Sequence, residues 1–241
     1  MKKFNTNSNS YIIAYSAVLV VVVAFLLAFI YQSLKDMQDA NVALDKKKQI
    51  LAALNIRDLS NDDAATAYKE VVTADRIVDA DGKTLDEGAQ GGENAAFKLN
   101  SSDAKNGKLA LYVCQVKGET KYVVPVYGMG LWGNIWGYVA INDDMNTIYG
   151  AYFDHASETA GLGAEIKDSR DWQNQFQGKR IFAQGSNSQV ALSVLKKSDI
   201  KDPTTQCDGV TGATLTSNGV SEMLQSSLGR YMNIFKQNAK E

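Results

Sequence analysis

The fold class is decided by the stretch Lys121–Ile141 in the middle of the chain, KYVVPVYGMGLWGNIWGYVAI. Residues 128–133 match the pattern G-x-G-x-x-G, which in a dinucleotide-binding domain joins a strand to a helix whose N-terminal amides hold a pyrophosphate. Here the following residues, Asn134–Ile141, are aromatic and β-branched, which is typical of a strand. The stretch therefore predicts two strands joined by a glycine-rich turn and argues against a Rossmann domain.

The glycines of this turn allow its backbone to approach another surface closely. Trp132 or Trp136 is then available to cover a planar ring, since an indole combines a large apolar face with a polar edge. The alternative is that both tryptophans are core residues of the hairpin.

Further strand-like and helical segments surround this stretch, separated by Gly, Asp and Asn at short spacing. Asp79–Gly82 resembles the start of a calcium-binding loop, but the later ligands are not at the required positions, so we predict a hairpin turn. The predicted strands include Arg76–Val78, Leu109–Val116, Tyr122–Val126 and Tyr138–Ile141, and the predicted helices are Asn61–Thr73 and Gly219–Phe235. A mixed α+β domain follows.

The segment His155–Gly163 contains the only histidine of the chain. One histidine does not supply a catalytic zinc site, and no G-x-S-x-G sequence provides a nucleophile for acyl transfer. We therefore expect no metal and no catalytic side chain. The polar residues and glycines that follow the histidine suit a loop that meets the polar edge of a ligand, or an ordinary turn.

The sequence DGVTGATLTSNGV occupies Asp208–Val220. Gly212 and Ala213 leave room around the Thr214 hydroxyl, and the side chain of residue 216, 217 or 218 is expected to cap a helix that begins at Gly219. A helix N-terminus of this kind favours a phosphate group. On composition alone, an ordinary helix cap explains these residues equally well.

Thr211–Thr214 resembles the Ser/Thr-Gly-Ala-Thr acceptor motif of the covalent FMN-binding domain family. The resemblance implies that a flavin transferase takes FMN from FAD and joins it to Thr214 through a phosphoester. Glu158–Gly163 and Gly128–Gly133 resemble loops that flank the flavin in this family, although Ala160 stands where proline is common. The implied FMN-binding residues are Thr214, Thr211, Gly212, Ala213, Leu215, Thr216, Glu158, Thr159, Gly161, Leu162, Gly163 and Trp132.

Members of this family serve as subunits of membrane redox complexes. The resemblance implies an electron-relaying subunit of a sodium-translocating NADH:quinone oxidoreductase, with the A, B, D, E and F subunits as partners. The Leu215–Val220 segment and the Gly-Leu-Trp-Gly run favour this complex over an Rnf-type ferredoxin:NAD oxidoreductase. In either case the flavin performs the redox chemistry. A membrane-anchored scaffold without a cofactor is the alternative from another functional class.

Ile12–Ile30 is a run of 19 residues without a charge. As a helix it spans about 28 Å, enough to cross the hydrocarbon core of a bilayer. A cleaved signal peptide is less favoured, because the run is long and no small-x-small cleavage site follows. We predict a cytoplasmic tail at 1–11, a transmembrane helix at 12–31, a stalk helix at 32–60 and a domain at 61–241, with the FMN-binding region at about 101–235.

The charge distribution bears on location and partners. The chain has a net charge of -2, so nothing in it attracts nucleic acid. Lys2 and Lys3 precede the span and favour a cytoplasmic N-terminus, although Lys35 lies on its other flank. The domain is then extracytoplasmic, or periplasmic, at a bacterial inner membrane. Cys114 and Cys207 could oxidise there, and the sequence leaves their pairing open.

The topology gives a direct test. A reporter enzyme that is active only outside the cytoplasm should be active when fused after Glu241, because the positive charges before the span retain the N-terminus inside. A cytoplasm-specific reporter at the same position should be inactive and serves as the control. The reverse pattern would contradict the predicted orientation.

Overall fold

The computed structural model describes residues 8–186 and 188–238. Its helices are α1 (Asn9–Ala53), α2 (Asn61–Val71), α3 (Ser101–Lys105), α4 (Glu165–Asp168), α5 (Arg170–Asn174), α6 (Thr214–Leu228) and α7 (Met232–Asn238). Its strands are β1 (Val72–Val78), β2 (Thr84–Asp86), β3 (Leu109–Val116), β4 (Glu119–Met129), β5 (Asn134–Asn142), β6 (Ile148–His155), β7 (Ser193–Leu195) and β8 (Gln206–Asp208). Short 3-10 helices occupy Ala96–Lys98, Lys197–Asp199 and Gly229–Tyr231.

The chain divides into two compact units after Asp45. In the first, α1 contains an 18-residue window with a mean hydropathy of 2.9 and no buried residue, so the helix is long and apolar enough to cross a membrane. The same helix continues without interruption to Ala53, because no Pro or Gly interrupts it. It ends before residue 60, the predicted end of the stalk. Most of the predicted tail at 1–11 lies outside the described residues.

The second unit is built on an antiparallel sheet with the strand order β2-β1-β3-β4-β5-β6. The strands β4 and β5 pair from Lys121 opposite Asn142 to Met129 opposite Asn134, which confirms the predicted strand-turn-strand arrangement. The turn predicted at Asp79–Gly82 joins β1 to β2. The short strands β7 and β8 pair in parallel beside this sheet. The predicted α+β fold is confirmed.

Helices cover both faces of the sheet. Val124 and Val126 of β4 and Val139 of β5 join a core with Val220 and Leu224 of α6. Side chains alternate between the two faces of a strand, so the residues between these positions point the other way. That opposite face receives the last turns of α1, where Gln49 Oε1 accepts a hydrogen bond of 3.2 Å from Trp136 Nε1.

The last turn of α1 lies directly on β6. A Cβ atom on Gly150 would overlap the carbonyl oxygen of Ala53, so only glycine allows this approach. Asn55, which follows the helix, donates a hydrogen bond of 3.0 Å to the Tyr149 carbonyl. The end of the long helix is thus fixed to the edge strand of the sheet.

Both cysteines are free thiols in the interior. Cys114 lies on β3 and Cys207 on β8, so the pairing left open by the sequence does not form. Burial raises the pKa of the Cys114 thiol well above its usual range and raises that of Cys207 to about 12. Both side chains are therefore structural, neutral groups at neutral pH.

Substitution of Gly150 tests how closely α1 packs on the sheet. Gly150→Ala should lower the free energy of unfolding by about 1–3 kcal/mol, because the new methyl group forces backbone apart. Gly229→Ala is the control, since its Cβ would meet no atom within 4 Å and its φ is -55°. It should change stability by no more than about 1 kcal/mol. Denaturant titration followed by tryptophan fluorescence measures both, and equal effects would contradict the packing.

Candidate functional site

Three segments that are far apart in sequence meet at one end of the second unit. They are the turn between β4 and β5 at 130–133, the loop after β6 at 156–164, and the start of α6. Each was singled out in the sequence, and the side chain of Glu158 bonds to the other two segments.

The Glu158 carboxylate joins these segments through both of its oxygens. Oε1 accepts a hydrogen bond of 2.8 Å from the Trp132 backbone N–H, and Oε2 accepts one of 2.5 Å from the Thr216 hydroxyl. The backbone N–H of Glu158 donates to His155 Nδ1 at 3.1 Å, which fixes the start of the loop. Glu158 is only 7% exposed, so its bonds are made inside the protein.

Glycines surround this carboxylate because no larger residue fits. A Cβ atom on Gly130 would lie 2.5 Å from Oε1, and one on Gly163 would lie 2.5 Å from Oε2. A Cβ atom on Gly219 would overlap the Met129 carbonyl oxygen. The helix α6 therefore lies against the β4–β5 turn at backbone distance. Gly219 was missed as a site residue, because the sequence placed it at the start of the helix and not inside it.

The segment between β8 and α6 forms a tight loop. Gly212 has a φ of +79°, in the left-handed region that favours glycine. The Ser217 hydroxyl of α6 accepts a hydrogen bond of 2.9 Å from the Val210 N–H, and the Ala213 N–H donates to the Val210 carbonyl at 3.0 Å. At the start of the loop, Trp172 Nε1 donates to the Asp208 carbonyl at 2.8 Å. No sequence pattern indicated this last contact.

The helix begins at Thr214, so the predicted start at Gly219 is wrong. The predicted cap is also wrong: the N-cap is Ala213, and no side chain in the described part of the protein caps α6. The reason is that Glu158 binds the Thr216 hydroxyl and Val210 binds that of Ser217. The first amides of α6 are consequently available to an anion.

Thr214 is exposed at this helix start, and its hydroxyl has no hydrogen-bond partner among the described residues. Leu162 lies beside the loop, since a Cβ atom on Gly212 would be 3.0 Å from Leu162 Cδ2. Apart from Leu85, the main exposed apolar side chains of the second unit's described residues lie in the three segments or directly before the first, namely Met129, Leu131, Trp132, Leu162 and Leu215. An exposed hydroxyl, an uncapped helix and an apolar surface therefore occur together.

The predicted site residues divide into an exposed and a buried group. The exposed ones are Thr211, Gly212, Thr214, Leu215, Thr159, Gly161, Leu162 and Trp132, and the buried ones are Ala213, Thr216, Glu158 and Gly163. Trp136 donates its indole N–H to Gln49, whereas Trp132 is 66% exposed, so Trp132 is the tryptophan of this hairpin that lies at the surface.

A cavity of about 490 Å³ lies next to the loop between β8 and α6. Gly161 and Thr211 line its near side, and the carboxylate-bearing residues Glu165, Asp171 and Asp208 also line it. Within residues 8–186 and 188–238, no three His, Cys, Asp or Glu side chains are arranged to hold a metal ion. The cavity is thus an open, acidic hollow that Thr211 helps to line.

Comparison with known proteins gives consistent matches. Residues 130–229, which contain all three segments, match the family described as FMN-binding domain. The C subunit of the Na(+)-translocating NADH-quinone reductase of Haemophilus ducreyi is 34% identical over 260 aligned positions, covering 99% of each chain. The C subunit of the same enzyme from Vibrio anguillarum is 32% identical over 209 positions, covering 81% of each chain.

Solved structures agree with the fold. The C subunit of the Na(+)-translocating NADH-quinone reductase from Parabacteroides distasonis superposes with a TM-score of 0.76 and 35% identity, covering 84% of this chain and 96% of that one. The Shewanella oneidensis protein named NqrC has a TM-score of 0.66 at 24% identity, covering 82% of this chain and 98% of that one. The second likeness concerns the fold alone.

The Ser217 hydroxyl provides a test of how the loop between β8 and α6 is fixed. Ser217→Ala should lower the free energy of unfolding by about 1–3 kcal/mol, because the Val210 N–H loses its acceptor. Ser226→Ala on the same helix is the matched control, since its exposed hydroxyl bonds only to Met223 of its own helix, and it should change stability by less than about 0.5 kcal/mol. Denaturant unfolding measures both, and indistinguishable values would contradict this role.

Proposed function

Because the chain belongs to the family of the C subunit of the Na(+)-translocating NADH-quinone reductase, we propose that it carries FMN covalently on Thr214 and relays electrons within that complex. The observation that carries the proposal is the exposed Thr214 hydroxyl at the uncapped start of α6, inside the region that matches the FMN-binding domain. Family membership favours this complex over the Rnf-type alternative.

The residues present fit the phosphate end of FMN. The first amides of α6 have no side-chain cap, and the positive end of the helix dipole favours a negative group there. The positive φ of Gly212 turns the chain so that Thr214 is at the surface, where a transferase can reach it. A phosphodiester on this hydroxyl keeps one negative charge beside those amides.

Attachment transfers the FMN half of FAD to the Thr214 hydroxyl. The Thr214 hydroxyl oxygen forms the new bond to the phosphorus of the FMN half of FAD, and the phosphoanhydride bond of FAD breaks. AMP leaves, and the hydroxyl proton passes to a base of the flavin transferase or to water. This chain contributes the nucleophilic oxygen, while the transferase supplies the activation.

The chain's own residues then orient the cofactor and limit its contact with water. Trp132, Leu162 and Leu215 present apolar surface beside the attachment point, suited to one face of a flat aromatic ring. Thr159, which is exposed on the same loop as Leu162, offers a hydroxyl for its polar edge. FMN supplies the electron-transfer chemistry when it is bound.

The long helix α1 suits a subunit anchored in a bacterial inner membrane. We place the N-terminus in the cytoplasm and the second unit on the extracytoplasmic side, next to the A, B, D, E and F subunits. The described part of α1 has no charged residue between Ile12 and Ile30, so an ion path through the membrane belongs to the other subunits.

The attachment site is tested by removing one hydroxyl. Thr214→Ala, produced together with the flavin transferase, should lose all flavin fluorescence from the denatured protein band, because the acceptor oxygen is gone. Thr159→Ala is the matched control, an exposed threonine on the neighbouring loop, and should keep the fluorescence. Intact mass and peptide mapping should locate FMN on the peptide that contains Thr214.

Fluorescence retained by Thr214→Ala would refute the assignment. A wild-type protein that remains colourless would instead support a scaffold without a cofactor. In a complex reconstituted from all subunits, the Thr214→Ala variant should also reduce quinone more slowly than wild type. Equal turnover would refute the electron-relay role while leaving the attachment site intact.

A further inference from the structure

The environment of Glu158 and Thr216 assigns them a role different from that of the exposed residues around Thr214. Glu158 is 7% exposed and Thr216 is 1% exposed, so neither side chain offers surface to a ligand. Their polar atoms are already used within the protein, since Thr216 donates to Glu158 and Glu158 also accepts from the Trp132 N–H. Glu158 and Thr216 therefore influence the site only through the residues that they bind.

We propose that Glu158 and Thr216 form a clamp that positions the two sides of the flavin attachment site. One carboxylate oxygen holds the turn that presents Trp132, and the other holds the first turn of α6, two residues after Thr214. Glu158 and Thr216 are positioning residues and make no contact with the cofactor. This inference rests on the proposed function only where it concerns the flavin.

The chemistry of the two donors explains why a carboxylate suits the clamp. The Trp132 N–H is a donor only, and the Thr216 hydroxyl uses its proton on the other oxygen. A carboxylate accepts from both groups at once, whereas a glutamine keeps the Trp132 bond with its oxygen and bonds Thr216 only if that hydroxyl reverses and accepts from the NH2 group. Hydrogen bonds to a charged acceptor are also stronger than those to a neutral one.

The packing explains why the clamp is rigid. Gly130 and Gly163 lie against the two carboxylate oxygens, and no side chain separates them from Glu158. The carboxylate cannot rotate without losing both bonds, because both oxygens are enclosed. Movement of the Trp132 turn relative to α6 consequently requires that the clamp opens.

The clamp also places a negative charge behind the attachment site. A fixed negative charge disfavours the additional electron of a reduced, anionic flavin. Removing that charge while keeping the shape of the side chain should therefore shift the flavin reduction potential to a more positive value. A purely structural role would not predict a shift of defined sign.

The first test measures amide hydrogen exchange by mass spectrometry on the full chain in detergent, without FMN. Glu158→Ala and Thr216→Val should each accelerate exchange at least about tenfold in the peptides that cover 130–133 and 214–220, because at least one bond between Glu158 and these segments is lost. Thr216→Ser keeps the hydroxyl and should restore wild-type exchange at 214–220. The double variant should exceed the single variants by less than the sum of their effects, since they share one bond.

The second test titrates the attached FMN against redox dyes. Glu158→Gln should move the potential to a more positive value, and Asp168→Asn, which removes an exposed carboxylate of α4, should leave it unchanged. Wild-type exchange at both peptides in Glu158→Ala would overturn the clamp. An unchanged potential in Glu158→Gln would overturn its electrostatic part. If FMN is absent from wild-type protein, the proposed function fails, while the exchange test still decides the clamp.

Discussion

The structure depends on the backbone-level approach of α6 to the β4–β5 hairpin. A Cβ atom on Gly128 would lie 2.6 Å from Met223 Cβ, and one on Gly219 would overlap the Met129 carbonyl oxygen. Two glycines, one on the strand and one on the helix, thus remove the side-chain layer that normally separates a helix from a sheet. This approach brings the start of α6 within hydrogen-bonding distance of the turn and of Glu158.

The opposite face of the sheet has its own polar connection. Asp154 of β6 is buried and pairs with Lys167 at 2.8 Å, and its other oxygen accepts from Gln49 at 3.4 Å and from the Tyr152 hydroxyl at 3.2 Å. Gln49 belongs to the last turns of α1, which also accept a bond from Trp136. The strand that leads into the His155–Gly163 loop is consequently held from both of its faces.

The sequence predicted the elements whose patterns are local and missed the features that depend on contacts between distant segments. The run Asn134–Ile141 is rich in aromatic and β-branched residues and follows a glycine-rich turn, so the hairpin could be predicted. The start of α6 could not, because Thr216 and Ser217 have the composition of caps. The Thr216 hydroxyl instead bonds to Glu158, which is far away in sequence, and the Ser217 hydroxyl bonds to Val210, which lies before the helix. Ala213 is therefore the N-cap.

For the proposed function, the structure also gives a physical reason why FMN is attached covalently. Trp132, Leu162 and Leu215 are each more than 40% exposed, so a ring resting on them is covered on one side only. A ligand of the size of FMN usually buries most of its surface when it binds non-covalently, and this open site can bury less of that surface. A phosphoester on Thr214 removes the need for enclosure. The ring then remains accessible from outside, which suits exchange of electrons with a neighbouring subunit.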